Sequence, residues 1–577
     1  MRGASAKLVR DGFAEAPPHP DHIPLRCMRS DLSPQAGRGK RAPLAKSNSD
    51  QTRPPRCDYN RDRLHARRLR AAGKLRIIMP TTHREHAVAR SQWSFKTAVE
   101  LSEALRKKQV SAVELAEDAI GRIERHDGKV NAICVRDFER GLQAARAADA
   151  AIARGEHRPL TGIPVTVKES YNIAGLPTTW GFPPHKDFTP TEDSLPVTRV
   201  KDAGGVIIGK TNVPVGLADW QSYNEIYGTT NNPYDLGRTP GGSSGGSSAA
   251  LAAGYGALSL GSDIGGSLRV PAFHCGVYAH KPTFNLVASR GHTAPPAVPI
   301  IYERDLAVIG PMARGAADLS LLLDVMAGPD PLDMGKAFKL ELPAPRHASL
   351  KDFRILVIDT DPVLPTDKAV RGSIDKLASH LDKAGAKISR TSPLLPDFAA
   401  SSRLYMRMLL SFLAGTFPPD VYAGACAAAA LLPATDTSLQ AERLRGIALS
   451  HRDWVQATFA RSRLRAQWRE FFDSFDAVIC PIMPTPAYPH DHAPDQEQRR
   501  ILIDGEPHVY TDQLAWPGIA TLPGLPATAI PTGFAPDGLP VGVQIVGPWL
   551  EDRTPLKLAE LIEREFGGFV PPKMFDD

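Results

Sequence analysis

An α/β fold is predicted by three observations. Apolar runs of strand length recur at residues 163–167, 206–208, 258–263 and 478–484. Between residues 313 and 390 a helical pattern (316–326), a strand-like run (354–359) and a second helical pattern (369–383) alternate, as they do in α/β domains. The chain has 577 residues, 42% of them hydrophobic, which suits one large core. No apolar run approaches the roughly 18 residues of a membrane span.

Residues 1–78 carry 18 Lys and Arg against 7 Asp and Glu, so the net charge of +6 arises here and the rest of the chain is mildly acidic. The segment is rich in Arg, Pro and polar residues and lacks periodicity; residues 1–90 are expected to be a disordered basic extension. Its acidic residues and the lack of an amphipathic repeat argue against a targeting segment or a nucleic-acid-binding tail. Met79 is the expected start of translation, with an over-extended reading frame before it. One catalytic domain is expected over residues 91–570, with a more variable, mostly helical region at 395–472.

Order is expected from Trp93. Thr97 and Ser111 are each followed three residues later by glutamate, the capping-box pattern, so a helix is expected after each. Leu115, Ala119, Ile120 and Ile123 give the second helix its apolar stripe. A third helix is expected over 138–154. The strand that follows alternates Ile163, Val165 and Val167 and delivers Lys168 to its end. An ordinary lysine, with a pKa of about 10.4, is neutral in only about one molecule in a thousand near pH 7.4, and burial lowers that pKa by up to roughly 3–5 units.

Two motif matches are set aside. Residues 204–211 fit the phosphate-loop pattern G-x4-G-K-[ST], but the variable positions read as a strand and Pro214 opposes a helix starting at Lys210. Gly241-Gly-Ser-Ser-Gly245 fits the nucleophile elbow G-x-S-x-G. Residues 231–240, with two prolines and two asparagines, are not the strand an elbow requires.

Two serine-bearing glycine turns remain, and they carry the chemistry. Ser243 and Ser244 lead into a helix-like run at 247–253, at the positive end of its dipole. Ser267 follows Gly265 and Gly266, where the amides of Ile264, Gly265, Gly266 and Ser267 can converge on one point, as in an oxyanion hole. A flexible Gly/Ser linker is the bland alternative, but the stretch runs into apolar segments on both sides. No histidine stands at a suggestive place beside these serines, which leaves Lys168 as the candidate base. Further on, helices are expected around 404–413 and 423–430, and a strand pair at 527–531 and 541–546. His490 and His492 sit in a Pro/Asp loop and are read as solvated, so no metal is assigned. The six cysteines lack CxxC spacing and are read as reduced thiols.

Lys168, Ser243 75 residues later, and Ser267 within Asp263-Ile-Gly-Gly-Ser-Leu-Arg269 together resemble the amidase signature family of Ser-Ser-Lys hydrolases. The resemblance runs from about residue 95 to about residue 566 and includes Tyr227-Gly-Thr-Thr-Asn-Asn-Pro233, Lys281-Pro-Thr283 and Gly310-Pro-Met312. It implies a central mixed β-sheet sandwiched between α-helices, a cis peptide between Gly242 and Ser243, and hydrolysis of a carboxylic amide to a carboxylate and ammonia or an amine. In the implied mechanism Lys168 takes a proton from Ser243, Ser243 takes one from Ser267, and Ser267 forms an acyl-enzyme. Ser244 is expected to support its turn, and Asp263 and Arg269 to be structural. The resemblance implies no cofactor, a small-molecule amide substrate, no nucleic acid or membrane partner and a cytoplasmic location; a homodimer is compatible with it. The alternative is the glutaminase subunit of a tRNA-dependent amidotransferase, which works in a complex with a partner. Such subunits typically carry Thr where this chain has Ile264, which favours a stand-alone amidase.

Overall fold

The computed structural model describes residues 91–575, and the expectations for the basic extension and for Met79 lie outside them. Eleven strands form one mixed sheet. In chain order they are β1 (Ile133–Arg136), β2 (Pro164–Lys168), β3 (Val206–Thr211), β4 (Leu258–Asp263), β5 (Tyr278–Lys281) and β6 (Val308–Ala313). Then come β7 (Arg354–Val357), β8 (Lys387–Ser389), β9 (Ala477–Cys480), β10 (Ala527–Phe534) and β11 (Pro540–Val546). Their order across the sheet is β1-β3-β2-β4-β6-β5-β10-β11-β9-β7-β8. The pairs β2/β3, β2/β4, β7/β9 and β7/β8 are parallel and the others antiparallel.

Side-chain alternation shows that helices cover both faces. In β7, Ile355 and Val357 belong to one apolar core and Leu356 to a second. In β9, Ala477 and Ile479 belong to the first, Val478 and Cys480 to the second. Successive strand residues point to opposite faces, so the sheet is the partition between the two cores. The helices Ala112–Val130, Phe138–Ala153, Gly245–Ala252, Ala316–Met326, Lys368–Lys383 and Arg553–Phe566 contribute to the larger core. Phe398–Leu413, His451–Ser474 and Ala515–Thr521 build the second. Strands β2 to β6 are buried at every position, as a sheet covered on both sides requires.

Local sequence explains most element boundaries. Both capping boxes form: the Thr97 and Ser111 hydroxyls accept from the amides of Glu100 and Glu114, whose carboxylates accept from the two capping amides. The strand expected over 478–484 stops at Cys480, because Pro481 and Pro484 have no amide to donate to a ladder. The strand expected over 354–359 stops at Val357. Lys210 and Thr211 lie inside β3, so no helix begins at this lysine and residues 204–211 are not a phosphate loop. The region 395–472 is helical, with Pro419–Ala430 and Leu439–Ile447 between the two long helices already named. Cys134, Cys275, Cys426 and Cys480 are free thiols. No helix among the described residues is long and apolar enough to cross a membrane.

Candidate active site

Lys168 ends β2 between β3 and β4, fully buried. Its Nζ lies 2.7 Å from Ser243 Oγ, 3.0 Å from Ser244 Oγ and 2.9 Å from Ser262 Oγ. Ser262 comes from β4, which pairs Leu260 with Val167 and so sets the two strand ends side by side. Burial drives the Lys168 amine well below the ordinary lysine value; the Asp263 carboxylate opposes this and the Arg304 guanidinium adds to it. An ammonium would donate to all three hydroxyls, whereas the neutral amine donates to two and accepts from the third.

The peptide Gly242–Ser243 is cis, as the resemblance implied. A side chain at Gly242 has no room, since a Cβ there would come within 2.5 Å of the Asp219 carbonyl oxygen. Ser244 ties the turn to its surroundings: its hydroxyl contacts Lys168, and its amide donates to the Ser267 carbonyl at 3.2 Å.

The turn after β4 is set by Asp263 and Arg269, both wholly buried. Arg269 Nε and Nη2 donate to the two Asp263 oxygens at 3.0 and 2.9 Å, a bidentate pair. The remaining guanidinium donors reach Pro517 O, Thr521 Oγ1 and Gln544 Oε1. Burial pushes the Asp263 carboxyl up, but the charge and hydrogen bonds of Arg269, with Lys281 and the Leu268 amide, hold it below the usual value. Asp263 also accepts from the amides of Gly266 (2.9 Å) and Leu268 (3.1 Å).

This last contact corrects the expected oxyanion donors. Gly266 is already engaged, because the Asp263 carboxylate sits under its amide. The amides of Ile264, Gly265 and Ser267 have no acceptor among the described residues. Two side chains fix the peptide planes of the turn: Tyr405 Oη donates to Ile264 O at 2.6 Å and Trp220 Nε1 to Gly265 O at 2.9 Å. Because a peptide is planar, holding the Ile264 carbonyl also directs the Gly265 amide the opposite way. Ser267 is 6% exposed, against 1% for Ser243. No hydrogen bond joins the two hydroxyls in this structure.

Sequence reasoning missed Ser262, Trp220 and Tyr405. Ser262 left a signal, since it shares a strand face with Leu258 and Leu260, and a buried hydroxyl on an apolar face needs a polar partner. Trp220 and Tyr405 come from a loop and a distant helix and left none. His490 and His492 take no part in this cluster; their rings lie 5.5 Å apart, and His492 stacks on Tyr223 at 3.7 Å.

Residues 114–556 match the Amidase family model. The chain is 32% identical over 494 residues to a glutamyl-tRNA(Gln) amidotransferase subunit of Carboxydothermus hydrogenoformans, covering 82% of this chain and 97% of the relative. It is 30% identical over 503 residues to a fatty-acid amide hydrolase 2-A of Danio rerio, covering 82% of this chain and 90% of that one. A crystal structure of a bacterial aryl acylamidase belonging to the amidase signature enzymes superposes with a TM-score of 0.67 at 23% identity, covering 83% of this chain and 97% of that chain.

Proposed function

Because this chain belongs to the amidase signature family of amide hydrolases, we propose that it cleaves a carboxylic amide through Ser267, with Ser243 as proton relay and Lys168 as base. The observation that carries the reading is the buried Lys168 Nζ, 2.7 Å from Ser243 Oγ and shifted toward its neutral form.

Neutral Lys168 donates its two N–H groups to Ser244 and Ser262 and accepts the Ser243 proton. As Ser267 Oγ attacks the carbonyl carbon, its proton passes to Ser243 Oγ and the Ser243 proton to Lys168 Nζ, which becomes an ammonium. A proton then returns along the same hydroxyls to the leaving nitrogen, the C–N bond breaks, and ammonia or an amine departs from acyl-Ser267. Water, deprotonated by the same relay, hydrolyses the ester to the carboxylate. The hydrogen bond between Ser243 and Ser267 that the relay needs closes when substrate orders the Ser267 hydroxyl; such contacts are often loose without substrate. The unengaged amides of Ile264, Gly265 and Ser267 receive the oxyanion, each donor contributing about 2.7–4 kcal/mol in comparable sites. The scheme uses no cofactor.

Fluorophosphonate labelling of the purified chain, with the modified serine mapped by mass spectrometry, tests it. Label is expected on Ser267 and is expected to vanish in Lys168→Ala and Ser267→Ala. Label on Ser243 or Ser244 that ignores Lys168 would replace this reading with a nucleophile elbow.

A second reading, the glutaminase subunit of a tRNA-dependent amidotransferase, draws on the amidotransferase relatives. Turnover of small amides by the purified chain alone separates the two, since such a protein needs its partner. Ile264 supports the stand-alone enzyme.

A further inference from the structure

Arg304 is held from one side only. Its Nη1 donates to the His292 carbonyl at 2.8 Å and to His292 Nδ1, and its guanidinium carbon lies 5.4 Å from the centre of the Trp180 ring. Nε is buried with no hydrogen-bond partner. Nη2 has none among the described residues either, and no carboxylate of those residues lies within salt-bridge distance; the adjacent Asp305 is taken by Arg461 at 2.6 Å. Nε–H and one Nη2–H point the same way, the fork that a carboxylate fills with two parallel hydrogen bonds. Arg304 is half-buried, with Nε shut away unpaired, so an anion that reaches the fork gives this cation the partner it lacks.

The neighbours of Arg304 supply no counter-charge. Because His292 Nδ1 accepts from the guanidinium, its ring proton sits on Nε2, which donates to Ser170 Oγ at 2.8 Å. Burial, with the charges of Arg304 and Lys168, holds His292 well below the ordinary histidine value, so the ring stays neutral. It packs edge-on against Tyr171 with 4.7 Å between ring centres. Ser170 and Tyr171 follow Lys168 almost directly, and Tyr171 Oη donates at 2.6 Å to Gly261 O, beside Ser262. His292, Ser170 and Tyr171 thus link Arg304 to the strand ends that carry Lys168 and Ser262.

We propose that the Arg304 fork binds a carboxylate of the substrate, which makes the preferred substrate an amide bearing a carboxylate on its acyl or amine part. The inference rests on the hydrolase reading above for what that carboxylate belongs to. Seating the anion neutralises the positive charge that faces Lys168 and so raises the base's proton affinity when a proton has to be taken up.

Thermal unfolding of the purified chain in malonate, succinate, glutarate or inorganic phosphate tests the site without turnover. At least one dicarboxylate is expected to raise Tm saturably, as a ligand of the folded state does. Phosphate is expected to give a smaller shift. Arg304→Met is expected to lose the shift, and so is Arg304→Lys, which keeps the charge but not the fork. No shift with any of the three dicarboxylates, or an unchanged shift in Arg304→Met, overturns the proposal. An equal shift with phosphate overturns it in favour of a general anion site. In turnover, the kcat/KM ratio of a dicarboxylic acid monoamide to its diamide is expected to be about ten-fold or more in the wild type and to fall to about one in Arg304→Met. A wild-type ratio near one also overturns it. Fluorophosphonate labelling reports the hydrolase reading separately: no label on Ser267 together with an intact dicarboxylate shift removes that reading and leaves the carboxylate site standing.

Discussion

Three hydroxyls crowd one nitrogen at Lys168, and in the proposed mechanism the protonation state of that nitrogen decides whether the site works. The proposed base must be neutral to act, so kcat/KM is expected to fall as pH drops through the depressed Lys168 pKa, with an acid limb well below the ordinary value of about 10.4. A pH–rate profile in which activity rises only near that ordinary value would remove Lys168 as the base. Lys168→Ala is expected to lower kcat by roughly 10²–10⁴ with a smaller change in KM, read from steady-state kinetics on any amide that turns over. The approach of Lys168 to Ser243 is legible in the sequence, because the glycine turns and the strand-end lysine stand at a spacing shared with a known family; its contact with Ser244, expected only to support the turn, is not. Ser262 was legible only through strand register, which local sequence does not specify. Arg304 is not legible at all: it sits in a loop without periodicity, and only folding shows that no carboxylate of the described residues reaches it. Nor could sequence show that the Asp263 carboxylate occupies the Gly266 amide, since that depends on a rotamer.

At the scale of the element, the turn from Asp263 to Arg269 is a small rigid body clamped by one buried ion pair. Removing one partner leaves the other charge buried and unpaired, so Asp263→Ala is expected to cost about 3–5 kcal/mol in denaturant unfolding. Loss of activity should accompany it even under conditions where the chain stays folded, because Asp263 also holds two amides of the turn. Gly266→Ala probes the same element from the backbone. Gly266 has φ +96°, and a Cβ there would lie 2.7 Å from Pro517 Cγ, so alanine is expected to destabilise the fold and to slow labelling of Ser267. Elements whose ends are chemically marked were easy to foresee. Both capping boxes formed where Thr97 and Ser111 placed them, and Thr97→Ala is expected to cost about 1 kcal/mol in the same unfolding measurement. The strand that starts at Ala477 ends earlier than its sequence predicts, because the apolar run continues past the point where prolines stop the ladder.

Across the whole molecule, burial also reaches polar groups to which the proposed mechanism gives no part. His274 has no hydrogen bond at either ring nitrogen, and burial drives its pKa down from the ordinary 6.5 to about 3. Below about pH 6.5 the unfolded chain takes up a proton here that the folded chain refuses until about pH 3. Stability is therefore expected to be fully present above that window and to fall with pH inside it, by about 1.4 kcal/mol per pH unit from this group. His274→Phe, which keeps the ring contacts to Phe273 and Tyr488, is expected to flatten the slope between chemical denaturation curves at pH 7 and pH 5. The sheet order has a consequence of another kind. Arg269 takes acceptors from Pro517, Thr521 and Gln544, the last 275 residues further along the chain. A ribosome adding about 5–20 residues per second needs about 14–55 s to travel that distance. Throughout that interval the nascent chain holds both serine turns and the lysine but lacks the segment that locks them. Activity is therefore expected only after Gln544 has emerged, and a chain broken off before it is expected to be inert and not merely a weakened catalyst.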